Sequence, residues 1–345
     1  MFLTQFGGIY AQYVIEDSAE LETLKKLPLE KIYLHSNTSL FFPGEYLYYS
    51  MNCINTMTNR LSTISRVGYV ELIDENHRSL FKQKMLIVGG KGQGDFFIPV
   101  TFPSGNYKLI AYTHWMRNVG LSQFYQDDIV IINPYQIDQE NLRNKKEETI
   151  NLDVVQVNNT EFQLEDKSIQ LQTEKNVFGK REKVSLVPRN YKGPLGHGNY
   201  SISVRLKNNL DVKLAMNATF FGDKYLNSAK ILPKNINDSI YLPEQRGELF
   251  YGRVLDKEDN PVVNETVIIS IPGEDFQLKS AITDKSGSFY TYVNKPYTAA
   301  TIIAQAIHKD ADNMVSLIDK PEMEFETLQF NDFTLNSKWR QSRNH

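Results

Sequence analysis

A single cysteine, Cys53, stands in 345 residues, so no disulfide can close within the chain and the thiol is expected to be buried packing. No apolar run approaches the roughly 20 residues that cross a bilayer as a helix, and no transmembrane segment is expected. Charge of one sign is also missing. A net charge of −3 offers no basic face to a phosphate backbone, which excludes nucleic acid as a partner. The six histidines fall at 35, 77, 114, 197, 308 and 345, none of them in His-Glu-x-x-His or His-x-x-Glu spacing. No Gly-x-Ser-x-Gly elbow nominates a serine nucleophile. Gly193, Gly196 and Gly198 surround His197, but no Lys-Ser or Lys-Thr follows and the run enters a strand, so it is a turn rather than a phosphate cradle. No catalytic residue, cofactor or metal is therefore expected.

What is abundant is aromatic: 19 Tyr and 19 Phe. Rings suit strands, where they pack across a pleated, half-buried surface. Strand and turn signals run from Lys31 to Ile132. Lys31-Ile32-Tyr33-Leu34-His35 opens them, Phe41-Phe42-Pro43-Gly44-Glu45 turns them, and Val67-Gly68-Tyr69-Val70-Glu71-Leu72-Ile73-Asp74 reads as a central strand. Gly94-Asp95-Phe96-Phe97-Ile98-Pro99 leads on to Pro103-Ser104-Gly105-Asn106-Tyr107, where Gly105 is expected to take a positive φ after the proline. The fold class is all-β, in tandem β-sandwiches.

Residues 1–11 read as the tail of a secretory signal peptide ending at Ala11, and 12–29 as a leader in which Leu21, Leu24 and Leu27 recur at helical spacing before Pro28. The first sandwich spans 30–134. Gln136 to Glu148 is charged and free of aromatic residues, and reads as a linker. A second β domain covers 149–243, with alternation in Phe162–Leu164, Ile169–Gln172, Lys183–Pro188 and Tyr200–Leu206. A third sandwich covers 247–320, where Asn260-Pro261 and Asp284-Lys285-Ser286-Gly287 make tight turns between Val-, Ile- and Tyr-rich runs. The polar end, 321–345, completes no domain and reads as the start of a further region.

Two resemblances follow from these motifs. The order K-I-Y-L-H, F-F-P-G-E, Y-V-E-L-I-D, G-D-F-F-I-P, P-S-G-N-Y, closing on Tyr112-Thr113-His114-Trp115-Met116-Arg117-Asn118, resembles the macroglobulin-type MG2 domain of large Bacteroidota envelope proteins. The order Gly252-Arg253-Val254-Leu255-Asp256, Pro261-Val262, Thr283-Asp284-Lys285-Ser286-Gly287-Ser288-Phe289 resembles the carboxypeptidase regulatory-like, or transthyretin-like, sandwich. The second bead is then expected to be macroglobulin-like too. What the resemblances imply is export, with a place in the periplasm, on the outer membrane or at the cell surface, and a role as a non-enzymatic scaffold or accessory subunit of an outer-membrane assembly. Outer-membrane proteins, TonB-dependent transporters among them, are the implied partners. A macroglobulin-type trap would need a thioester between a Cys and a Gln three positions later, and Cys53-Ile54-Asn55-Thr56 lacks it.

Two alternatives stay open: a surface module that binds carbohydrate or peptide, and a thioester-less, protease-inhibitor-like bait protein. Tyr112, His114, Trp115 and Arg117 mix polar and aromatic groups at a strand end and are the candidate interaction lip, against the plainer reading of a buried Trp with solvated neighbours. Ser18 and Ser239, in Asp-Ser-Ala and Asp-Ser-Ile, match the short pattern of bacteroidal O-glycosylation.

Overall fold

The computed structural model describes residues 13–15, 17–136, 170–190, 193–194, 200–204, 216, 221–226, 232–274, 276–295, 301–307, 314–318 and 323–331. The expected signal-peptide tail, nearly all of the 136–148 linker, Phe162–Leu164, the His197 loop and the end beyond residue 331 lie outside them. The chain divides into two compact units, 1–143 with 203–345, and 144–202.

The larger unit opens with strand β1 (Tyr13–Val14) and helix α1 (Ser18–Lys25). Asp17 caps the helix by accepting from Glu20 N at 2.8 Å, and Leu21 and Leu24 turn inward. The leucine spacing therefore yields the helix it implies.

The first sandwich follows from β2 (Glu30–Ser36), β3 (Leu40–Phe41), β4 (Tyr46–Asn55), β5 (Arg60–Leu61), β6 (Val67–Asp74), β7 (Ser79–Leu86), β8 (Lys91–Phe97), β9 (Gly105–Tyr112) and β10 (Tyr125–Ile131). One sheet has the order β3-β10-β9-β6-β7; in the other, β4 is flanked by β2 on one side and by β5 and β8 on the other. Every ladder is antiparallel except β3 with β10. The turn at Pro43-Gly44 forms as its residues dictate, with Gly44 at φ +92° and its N–H donating to Ile98 O. The expectation for Gly105 is not met. It is the first residue of β9, its φ lies outside the left-handed region, and an added Cβ would meet nothing nearer than 3.6 Å.

Strands β6 and β9 are buried at every position, so both faces of their sheet are covered. The inner face packs on the other sheet, with Gly68 letting Met51 approach. Later segments of the same unit complete the core of the first sandwich: Met216, Phe221 and Tyr225 lie beside Tyr33 of β2 and Tyr125 and Asp127 of β10, Phe325 and Leu328 join the same cluster, and Glu244 covers Tyr69 on the outer face.

The smaller unit holds β11 (Gln170–Gln172), β12 (Val187–Asn190) and β13 (Gly193–Pro194) in one antiparallel sheet. Its alternation is shorter than the sequence suggests. Among Lys183–Pro188 only Val187 and Pro188 enter a ladder, and in the expected run Tyr200–Leu206 the described residues, 200–204, are exposed and form no strand, while 205–206 lie outside the described residues. The unit ends at 202, so the described residues of 203–243, expected in the second domain, fall in the larger unit.

Back in the larger unit, β14 (Ser239–Ile240) pairs with β1. The third sandwich is β15 (Glu248–Leu255), β16 (Thr266–Ile271), β17 (Gln277–Ile282), β18 (Ser288–Val293), β19 (Ile303–Ala306) and β20 (Met314–Ile318). Its sheets run β18-β15-β20 and β17-β16-β19, closed around Val254, Val267, Ile269 and Phe289. Among the described residues no helix is long and apolar enough to cross a membrane.

Candidate functional site

The candidate lip begins where β9 ends. Thr113 stops the strand because its hydroxyl is positioned to accept from Met116 N at 3.3 Å, and Asn118 Nδ2 donates back to Trp115 O at 3.0 Å. The four residues Trp115–Asn118 thus wind into a 3-10 turn. Tyr112, His114, Trp115 and Arg117 are all inside the protein, at 2%, 1%, 0% and 9% exposure, so the lip faces no solvent. The solvated neighbours expected beside Trp115 are likewise buried.

What these side chains hold is the chain itself. Trp115 packs with Ile15, Leu21, Leu24, Leu29, Leu232 and Ile240, and its Nε1 donates to Pro28 O at 3.1 Å. His114 Nδ1 lies 3.0 Å from Leu242 O; a carbonyl only accepts, so Nδ1 carries the proton. The His114 ring meets Tyr241 edge-on at 5.0 Å, and the Arg117 guanidinium lies 4.2 Å over the same Tyr241 ring. Arg117 Nε also donates to the Met323 thioether. Asn118 reads the Tyr241 backbone twice, Nδ2 donating to its carbonyl at 2.7 Å and Oδ1 accepting from its N–H at 2.8 Å. One five-residue turn seats α1, the 241–242 connector and residue 323.

A second set of buried groups extends the seat. Glu244, 0% exposed, accepts from Tyr69 OH at 2.8 Å and from Leu249 N at 2.9 Å, while its carbonyl accepts from Arg66 N at 2.8 Å. Glu71 accepts from Tyr112 OH and, at 2.7 Å, from Ser79 Oγ, and pairs with Lys82 at 3.2 Å. Tyr112 stacks between Tyr69 and Phe124, with centroids at 5.3 and 4.5 Å. Burial, then the adjacent carboxylate, pushes Tyr69 and Tyr112 well above the usual phenol range. Glu30 is satisfied by Ser62 Oγ, Ser65 N and Oγ, and Thr113 Oγ1. Burial and the Glu30 carboxylate raise the Cys53 thiol well above its ordinary value, which keeps it protonated and inert. Among the described residues no group of three His, Cys, Asp or Glu is placed to hold a metal ion.

The third sandwich is tied at both ends. Its first strand starts against Glu244 through Leu249 N, and Lys84 of β7 pairs with Glu248 at 2.6 Å. After β20 the chain returns to the first sandwich. Met323 lies at Arg117, Phe325 and Leu328 join the core, the Phe330 ring meets His77 edge-on at 5.6 Å, and Asn331 bonds Asp128.

Ser18, the first helical residue, is exposed, and Ser239 is half-buried in β14. The pairing of Val14 with Ser239 brings these two Asp-Ser motifs, far apart in sequence, to adjoining segments.

Sequence reasoning missed a surface on the first sandwich. Tyr46 and Tyr48 point outward from β4, stacked at 5.6 Å and 18°, and Phe97 of β8 meets Tyr46 at 5.2 Å. All three are exposed. Asn37 fixes the strand beneath them, donating to Tyr46 O and accepting from Tyr48 N, each at 3.0 Å. The signal was present in Tyr46-Leu47-Tyr48-Tyr49: with Leu47 and Tyr49 inward, period-two alternation leaves two tyrosines on the wet face, where polar residues are the norm.

The ladders define a tandem β-sandwich protein. No family model matches the chain, and no curated protein matches it. Among solved structures it is similar to Salmonella α2-macroglobulin reacted with methylamine, at 10% identity over 90% of this chain and 15% of that one, TM-score 0.25. It is also similar to native Escherichia coli α2-macroglobulin, at 8% identity over 89% and 15%, TM-score 0.26. A tetra-tandem repeat from the extending region of a large adhesion protein is similar at 12% identity over 85% and 75%, TM-score 0.23. The chain spans about 15% of the length of the two macroglobulins. Superpositions this loose carry no weight for activity, and the site is read from its own geometry.

Proposed function

We propose that the chain is a non-enzymatic, exported scaffold that serves as an accessory subunit of an outer-membrane assembly in the Bacteroidota envelope, beside a TonB-dependent transporter. The observation that carries the scaffold part is the two-ended anchorage of the third sandwich on the first, at Glu244 and at Met323–Asn331. A support that must present two surfaces in fixed relation gains from such locking, because less orientational freedom is lost when a partner binds. The groups that could do acid–base chemistry, Glu30, Glu71, Glu244 and His114, are taken up by structural hydrogen bonds. The envelope setting is supported by the motif order in 30–134 and 247–320.

A second reading, a surface module that binds carbohydrate or peptide, is favoured by Tyr46, Tyr48 and Phe97, which offer exposed rings for stacking. Native purification from gently solubilised envelopes separates the two. A barrel protein recovered at stoichiometric yield supports the scaffold. Purification free of any outer-membrane protein, together with glycan or peptide binding lost in Tyr48→Ala, replaces it with the binding module.

A further inference from the structure

The third sandwich is anchored through the sheet β18-β15-β20, where Leu249 and Tyr251 face Glu244. The sheet β17-β16-β19 lies on the opposite side of its core. On that sheet Val267, Ile269, Ala281, Ala304 and Ala306 point into the core, so the alternate positions point out.

Those outward positions are unusual in two ways. Leu278, Ile282, Ile303 and Ile307 are 57%, 67%, 41% and 54% exposed, and Ile268 stands among them on the central strand. Register interleaves them with uncharged polar residues: Ser270 lies between Leu278 and Ile303, Ile268 between Ser280 and Gln305, and Thr266 between Ile282 and Ile307, whose N–H donates to the Thr266 carbonyl. Together they leave on the order of 400 Å² of aliphatic surface in water on one sheet face, a size that marks a binding face. The second feature is the absence of charge. The remaining outward residues are Thr266, Ser270, Ser280 and Gln305, with no Lys, Arg, Asp or Glu in the set.

We infer that this face pairs with its own counterpart on a second copy of the chain, sheet on sheet, about a two-fold axis. In such a pair each residue near the axis meets itself, and any charge there would meet its like. An uncharged face satisfies that condition, whereas a charged partner would find no complement. The size also fits. The aliphatic surface with its interleaved Ser, Thr and Gln approaches the ~800 Å² that each partner contributes to a stable interface. The three-stranded sheet, about 10 Å from its mate, would form a second core like the one inside the sandwich. The pairing uses a different face from the aromatic surface and does not require an outer-membrane partner.

Analytical ultracentrifugation of the full chain over 1–200 μM tests it, alongside Ile282→Glu and Ser280→Arg. Both residues are exposed, so each variant should keep the parent melting temperature. The expected result is a concentration-dependent dimer that each charge weakens at least tenfold. Ser280→Arg is informative because it removes no apolar surface and acts only by placing a charge near the axis. A parent chain monomeric at 200 μM overturns the inference, and so does a dimer that both folded variants retain unchanged.

Discussion

Replacing Glu244 by alanine removes the acceptor that Tyr69 OH reaches at 2.8 Å and Leu249 N at 2.9 Å, one donor from each sandwich. Glu244 is fully buried, so water does not readily take over either bond. Stripping a buried donor of its acceptor costs about 1–3 kcal/mol, which gives about 2–6 kcal/mol for the two. At roughly 2–4 °C per kcal/mol for a unit of this size, the melting temperature should fall by about 4–24 °C. Calorimetry adds a second readout. Because the lost bonds join the two sandwiches, the variant should show the third sandwich melting apart from the first. Glu244→Gln keeps an acceptor oxygen and should lose less than half as much. A single transition within 1 °C of the parent in Glu244→Ala would refute the view that this carboxylate fastens the two sandwiches.

Trp115→Ala should cost about 3–5 kcal/mol by emptying the cluster beneath α1, and Trp115→Phe about 1 kcal/mol for the bond to Pro28; a ligand-binding defect without loss of stability in urea titration would restore the lip. Above pH 10 the fold should weaken. The folded-state pKa values of Tyr69, Tyr112 and Tyr125 are raised while the unfolded chain ionises near 10, so stability is full below that pH and is lost as pH rises toward the folded values; the phenolate absorbance of these three, taken as the difference between the parent and each Tyr→Phe variant, should therefore appear together with loss of near-UV dichroism, and its appearance near pH 10 in an intact fold would contradict this. Tyr33, pushed up to about 12, should behave in the same way. A thiol reagent should modify Cys53 only in denaturant, and stoichiometric reaction with the native protein would show that burial does not shield it. If the protein carries O-linked sugar, peptide mapping should find it at exposed Ser18 before half-buried Ser239; sugar at Ser239 alone would run against the exposure of the two sites.

The first and third sandwiches were legible because their turns announce themselves. Pro43-Gly44 and Asp284–Gly287 punctuate runs whose alternation matches one wet and one dry face. The candidate lip was misjudged for a physical reason. His114, Arg117 and Asn118 are residues that usually meet water, and nothing local says that Tyr241, Leu242 and Met323 will arrive to cover them. Long-range cover of this kind leaves no periodic mark. The same holds for the buried runs of β6 and β9, where Tyr69, Glu71 and Lys108 look like a solvent face until the later segments are in place. Gly105 fell to a nearer cause: a Pro-x-Gly sequence permits a positive φ without demanding it.

The return of Phe325 and Leu328 to the first sandwich has a consequence for the order in which the protein matures. Synthesis delivers the strands up to Ile131 early, yet two of the side chains that complete their core are made almost two hundred residues later. Until then a newly made first sandwich has a sticky, half-finished back. Contacts that span so much chain form slowly, and surface left bare meanwhile invites misassociation. A nascent chain should therefore depend on holding factors until residue 328 has emerged, and truncation just after the third sandwich should yield aggregates even though every strand of both sandwiches is present.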